Sequence, residues 1–261
     1  MMTWDDRHAV VRRLFGIDFL DAPSIGAVSE RLLEDADRPC STWRSVVTPN
    51  VDHVVRYSKY EEERRAAEAA YIALADGMPI VWASKLLHRP LSCRLTGADL
   101  FADLWPRLVS QNRPVLVVAG NDEVASRLAA EHPRATFIVP EQFDAHDRHA
   151  MEVVTDDIVG HITRSPVDFV VMGISMPKSH QIALLLDQRP QLPGGRAPIL
   201  LMIGAAVEFY TGHQRRAPEW MRRSGLEWVH RLMSRPGYMA KRYLVDDPRF
   251  LVLVWRELRH R

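Results

Sequence analysis

The sequence predicts an α/β fold: a Rossmann-like, mostly parallel sheet sandwiched by helices, with a helical C-terminal appendage. Two observations carry this. Short apolar runs rich in β-branched residues alternate with longer stretches of helical period. After Gly212 the alternation stops, and a basic, aromatic-containing tail follows. The expected division is therefore an α/β core over 1–212 and an appendage over 213–261.

The first helix is expected over Ser24 to Ala36, with Ser24 as its N-cap, and the first strand over Trp43 to Thr48. Val51 to Ala70 reads as one helix whose apolar start leads into the charged Glu61-Glu62-Glu63-Arg64-Arg65 face. A strand over Tyr71 to Ala75 follows, then helices over Pro79 to Leu87 and Ala98 to Ser110. Strands over Pro114 to Ala119, Thr136 to Val139, Asp168 to Gly173 and Ile199 to Ile203 alternate with helices over Asp122 to Glu131, His149 to Thr163 and Pro177 to Leu186. The Gln191 to Arg196 stretch reads as a turn into a strand.

Composition narrows the function. No apolar run approaches the roughly 20 residues a membrane span requires. The acidic Asp5-Asp6 start lacks the basic and apolar regions of a secretory signal, so a cytoplasmic protein is expected. Cys40 and Cys93 match no metal or redox spacing and read as free thiols. The net charge of +1 argues against a nucleic-acid protein, but it is unevenly spread. From His213 onward, eleven Arg and one Lys face five acids, a net +7 that leaves −6 for the rest. Trp220, Trp228, Tyr238, Tyr243, Phe250 and Trp255 interleave with these cations. The mixture suits an anionic membrane surface or phosphate groups, and equally a solvated helical face with its aromatics turned inward.

In open α/β sheets, ligands bind beyond the carboxyl ends of the strands. Four such places stand out. Thr48-Pro49-Asn50 offers a hydroxyl and an amide, with Asn50 able to cap the next helix. Ala75-Asp76-Gly77 sets a carboxylate beside a glycine, as an N-cap or as a rigidly held general base. Ala119-Gly120-Asn121-Asp122 could turn backbone N–H groups towards a phosphate or a sugar. In Gly173 to Lys178, Pro177 suits the first helical position and Lys178 the first turn. Each also reads as an ordinary strand-to-helix turn.

Competing motifs are absent: there is no phosphate-binding P-loop, no dinucleotide fingerprint and no nucleophile elbow. Asp144, His146, Asp147 and His149 have metal-ligand types but lie in a polar, loop-like stretch. Asp35-Ala36-Asp37 is the only Asp-x-Asp tripeptide, and no apolar strand precedes it to aim it at a metal–diphosphate. No cofactor and no metal site are expected.

In this order the motifs resemble the WecG/TagA/CpsF glycosyltransferases, the family of the teichoic-acid N-acetylmannosaminyltransferases (glycosyltransferase family 26). The likeness runs from Thr48-Pro49-Asn50 and Ala75-Asp76-Gly77 through Pro79 to Ser84, Arg94 to Leu100 and Gly173 to Lys178. It continues through Ile203 to Ala206, Phe209 to Gly212, Arg216 to Trp220, Gly225 to Trp228, Arg231-Leu232 and Arg242-Tyr243.

The resemblance implies inverting transfer of a hexose or N-acetylhexosamine from a UDP-sugar to an acceptor hydroxyl. The usual acceptor is a polyprenyl-diphosphate-linked sugar at the inner face of the cell membrane, in cell-surface polysaccharide synthesis. Asp76 matches the family's proposed base. The implied substrate-binding residues are Thr48, Asn50, Gly77, Thr96, Asp99, Gly120, Gly173, Lys178, His180 and Glu208. Without a metal, the charge of the leaving UDP falls to guanidinium groups of the appendage: Arg216, Arg223 and Arg231 first, then Arg222 and Arg242. Peripheral membrane contact and homo-oligomerisation are open partners; nucleic acid is not expected.

The chain also departs from the family. Pro177-Lys178-Ser179-His180 stands where Pro-Lys-Gln-Glu is usual, Ser175 where glycine is common, and Glu208 where Asp is common. His180 then reads either as a helix-surface histidine or as a second acid/base or hydrogen-bonding group. The altered segment keeps two further readings open: the same chemistry on a soluble small-molecule acceptor, or a non-catalytic nucleotide-sugar-binding protein.

Overall fold

The computed structural model describes residues 10–189, 192, 195–214, 218, 221 and 247–259. It opens with a hairpin, β1 (Val10–Leu14) and β2 (Ile17–Asp21), that the periodicity does not announce. Its two-residue turn is Phe15-Gly16, with φ of 54° and 81°. Left-handed backbone at both positions matches the twist of a tight hairpin, usually signalled by Asn-Gly rather than by an aromatic.

The six strands expected from the sequence all form: β3 (Arg44–Val47), β4 (Ile72–Ala73), β5 (Val115–Val118), β6 (Ala135–Ile138), β7 (Phe169–Met172) and β8 (Ile199–Met202). The sheet order is β1-β2-β4-β3-β8-β7-β5-β6, with only β1–β2 antiparallel. β5, β7 and β8 are buried at every residue, as parallel strands covered on both faces require.

The helices with both ends among the described residues are α1 (Ile25–Asp37), α2 (Val51–Tyr57), α3 (Glu61–Glu68), α4 (Met78–Leu86), α5 (Gly97–Ser110), α6 (Asp122–Glu131), α7 (Arg148–Arg164), α8 (Lys178–Asp187), α9 (Ala206–Tyr210) and α10 (Asp247–Arg259). Ser24 caps α1, accepting from the Ala27 amide. The single helix expected over 51–70 is two, broken at Ser58 to Tyr60, where the Lys59 and Tyr60 amides both turn back to the Arg56 carbonyl. Pro177, expected inside α8, precedes it at the N-cap, following a cis Met176–Pro177 bond.

Strand side chains alternate between two cores, as the period of two demands. Val47, Leu116, Val118, Val170, Met172, Leu200 and Met202 face one core, with α2, α4, α7 and α8. Val46, Val115, Val117, Phe169, Val171, Ile199 and Leu201 face the other, with α1, α5, α6 and α9. The chain therefore leaves β3 and β7 towards one face and β8 and β5 towards the other. Above β3, β8, β7 and β5 the exit loops part, which is where a doubly wound sheet leaves a crevice.

The amino edge is closed by charge. Arg113 bridges Asp37, at 2.5 Å, and Asp168, at 3.3 Å, while Arg196 takes the other Asp168 oxygen at 2.9 Å. Asp35, its side chain buried, pairs with Arg31 at 2.9 Å and accepts from the Tyr71 hydroxyl at 2.5 Å. Both carboxylates of the Asp-x-Asp tripeptide thus hold structural cations at the edge opposite the crevice.

Of the expected appendage, the described part is chiefly α10. It packs against α2 and buries Phe250 and Val254 in the first core, with the Phe250 ring 5.3 Å from Phe15. Glu257 pairs with Arg89 at 3.0 Å.

Candidate functional site

The carboxyl edge brings most of the expected residues together in two groups. In the first, Asn50 caps α2, accepting from the His53 amide at 3.2 Å, and the backbone N–H of Asp76 donates to the Pro49 carbonyl at 2.9 Å. The two turns are thereby one unit. Gly77 has φ 131°, a conformation open mainly to glycine, and it starts α4 without a side-chain cap. The N-cap position of α4 is taken by Gly77 and not by Asp76, which is half-buried and follows the strand, its turn tied to that of Thr48 to Asn50.

In the second group, the Gly173 amide donates to the Val118 carbonyl and the Gly204 amide to the Met172 carbonyl. A Cβ on Gly173 would lie 2.8 Å from the Val118 oxygen, so only glycine lets the β7 and β5 exits approach this closely. A Cβ on Gly120 would stand 3.5 Å from the Glu208 carboxylate. Gly120, Gly173 and Glu208 therefore share one corner, above β5 and β7.

Gly97 joins the groups. A Cβ there would come within 3.0 Å of Thr48 Oγ1 and 3.4 Å of Ile203, so α5 begins directly against the exits of β3 and β8. Thr96 caps α5, accepting from the Asp99 amide at 3.0 Å and donating to its carboxylate at 2.7 Å. Arg94 lies 3.4 Å from the same oxygen. Thr96 is buried, and it and Asp99 shape the α5 entry.

Lys178 donates to the Phe143 carbonyl, in the loop that follows β6, at 3.3 Å, with its ammonium 4.5 Å above the Phe143 ring. The surface reading of His180 is corrected: the residue is 3 % exposed. Its Nε2 meets the Tyr57 hydroxyl at 2.9 Å and its Nδ1 meets Ser179 Oγ at 3.4 Å. Burial, reinforced by His53 and Arg56, pushes its pKa down to about 3, so the ring is neutral at ordinary pH. Burial also raises the Tyr57 phenol, which keeps its proton.

No motif in the sequence marks Tyr57 and His53. The signal available was their spacing: His53 and Tyr57 follow the Asn50 cap on one face of α2. Both rings stand about one ring-packing distance from His180, with centroids 6.2 and 5.7 Å away.

In the Asp144 to His149 stretch, Asp147 caps α7 and Asp144 accepts from the His146 amide and ring, both at 2.8 Å. Cys40 and Cys93 are both free. Arg216, Arg222, Arg223, Arg231 and Arg242 lie outside the described residues. No helix among the described residues is long and apolar enough to cross a membrane.

The edge thus sets a carboxylate, a hydroxyl and an amide beside a glycine-lined corner bearing a second carboxylate. Such an arrangement can take a proton from an alcohol at one end while holding a polar ligand along the other. The family model described as the glycosyl transferase WecG/TagA/CpsF family matches residues 12–261.

Proposed function

The chain belongs to the WecG/TagA/CpsF family of glycosyltransferases, and from that premise we propose that it transfers a sugar from a UDP-sugar to an acceptor hydroxyl with inversion. The observation that carries this is the tie between Asp76 and Pro49, which fixes a carboxylate beside Thr48 and Asn50 at the strand ends. In the proposed step Asp76 takes the acceptor's proton as the new glycosidic bond forms, and UDP leaves from the opposite face of the sugar. The corner of Gly120, Gly173 and Glu208 takes the nucleotide.

Charge on the departing diphosphate is met by Arg216, Arg223 and Arg231, with Arg222 and Arg242 behind them, rather than by a metal held on Asp35 and Asp37. The support for this is that both of those acids already serve cations at the far edge. We assign residues 1–212 to the transferase core and 213–261 to an appendage that completes the site.

A lipid-linked acceptor at the inner membrane face is supported by α10, whose outward side exposes Leu251, Val252 and Trp255 with Arg259 stacked on Trp255 at 3.8 Å. The second reading, a soluble acceptor, is favoured by Ser179 and His180. Incubation with UDP-sugars tests the activity, because release of UDP without any Asp76 dependence would remove the proposed base. Flotation with anionic liposomes, full chain against a chain ended at Gly212, tests the membrane role: equal partition would remove it.

A further inference from the structure

The segment after β8 is strapped along one face of α6. Glu123, Arg127 and Glu131 stand four residues apart, so they form a single stripe on that helix. Glu131 accepts from the Tyr210 hydroxyl at 3.1 Å and from the Trp105 indole at 2.9 Å. Arg127 donates to the Thr211 carbonyl with one nitrogen and to Glu123 Oε1 with another, the latter at 2.6 Å. Glu123 Oε2 meets His213 Nδ1 at 3.0 Å, and His213 Nε2 lies 3.5 Å from the Asn121 amide nitrogen. As the chain runs from Tyr210 to His213 it therefore climbs from the carboxyl end of α6 towards its amino end, a rise of roughly 12 Å. The reversal is made at Gly212, whose φ of 72° lies in the left-handed region. The climb ends at Asn121, the α6 cap that directly follows Gly120. There the Gln214 amide closes on the Glu208 carbonyl at 3.1 Å, and the same oxygen takes the Thr211 hydroxyl at 3.3 Å.

We infer that Glu123, Arg127 and His213 are positioning residues for the nucleotide: they hold the turn after α9, and with it Glu208, over the corner that Glu208 shares with Gly120 and Gly173. The inference rests on the UDP-sugar reading above, which gives that corner to the nucleotide. Two features support it. With five residues, α9 is too short to keep its own course, so the direction in which it presents Glu208 is set by what its ends are tied to. Glu123, Arg127 and His213 are all exposed, and exposed ion pairs add little to folding stability. What these three supply is register. Glu131 differs, because its partner Trp105 is fully buried and that tie serves the core.

Calorimetric titration of UDP into the full chain, below the melting temperature of every variant, tests it. Arg127→Ala should weaken UDP about tenfold. Arg127→Lys, with one donor nitrogen in place of two, should fall between the wild type and Arg127→Ala. His213→Asn keeps an N–H near the place of Nδ1 and should bind UDP better than His213→Ala. Arg113→Ala, which breaks the ion pairs at the opposite edge of the sheet, is the control for stability: it should lower the melting temperature without weakening UDP. If wild type binds UDP and Arg127→Ala binds it equally well, the inference fails alone. It fails as well if Asn at position 213 restores nothing over Ala. Equal weakening of UDP by Arg113→Ala and Arg127→Ala also overturns it, because the loss then follows stability rather than register. If wild type binds no UDP, the donor reading fails and takes the inference with it.

Discussion

Asp76 and Pro49 are joined through their backbones, the Asp76 amide donating to the Pro49 carbonyl at 2.9 Å, while Leu95 returns a bond to Ala75 at 3.0 Å. The carboxylate therefore sits on a turn held from both sides and moves only at its side-chain torsions. Asp76→Asn keeps the shape and removes the base. It should lower kcat about 10²–10⁴-fold with the melting temperature unchanged. Steady-state release of UDP with acceptor present measures it, and turnover equal to wild type would exclude Asp76 as the base.

Gly173 is the tightest contact of the crevice floor. Gly173→Ala places a methyl 2.8 Å from the Val118 oxygen, and backbone on both sides must yield. Destabilisation of about 1–3 kcal/mol is expected by urea unfolding, with weaker nucleotide binding because the corner with Gly120 opens.

Acid should unfold the protein partly through its buried and half-buried imidazoles. His180, His132 and His161 all have pKa values lowered mainly by burial. Below about pH 6.5 the unfolded chain binds protons that the folded chain refuses, so stability is held above that pH and lost as pH falls towards 3. A urea-midpoint series from pH 7 to 4 should show the decline, with a shallower slope in His180→Asn. Identical slopes would mean that His180 takes up its proton without unfolding.

Phe250 ties α10 to the core through Phe15 and α2. Phe250→Ala should cost about 3–5 kcal/mol if α10 unfolds with the rest of the chain. A separate, earlier transition in calorimetry, with the main one unshifted, would show that α10 is an independently detaching element.

Much of the fold is legible in the residues because burial on both faces writes β5, β7 and β8 as unbroken apolar runs, and because Ser24, Asn50, Thr96 and Asn121 mark helix starts by chemistry that acts within four residues. The β1–β2 hairpin is illegible for the converse reason. Its turn, Phe15-Gly16, lacks the usual residues, and its outward positions Val10 and Val11 are apolar yet exposed, so no alternation appears.

The site divides in the same way. The positions of Thr48, Asn50, Asp76, Gly120 and Gly173 follow from being next after a strand, which sequence order specifies. Strand order does not follow from sequence order: β8 lies between β3 and β7, and only that placement sets Gly97 against Thr48 and Ile203. His180 shows the limit most clearly. Helical period alone could put it in water or in the core; the packing of α8 against α3 and α7 decided, with Tyr57 and His53 of α2 meeting the ring. Local chemistry determined which residues could act at the edge of the sheet, and long-range packing, whose contacts carry no local signature, decided which of them meet.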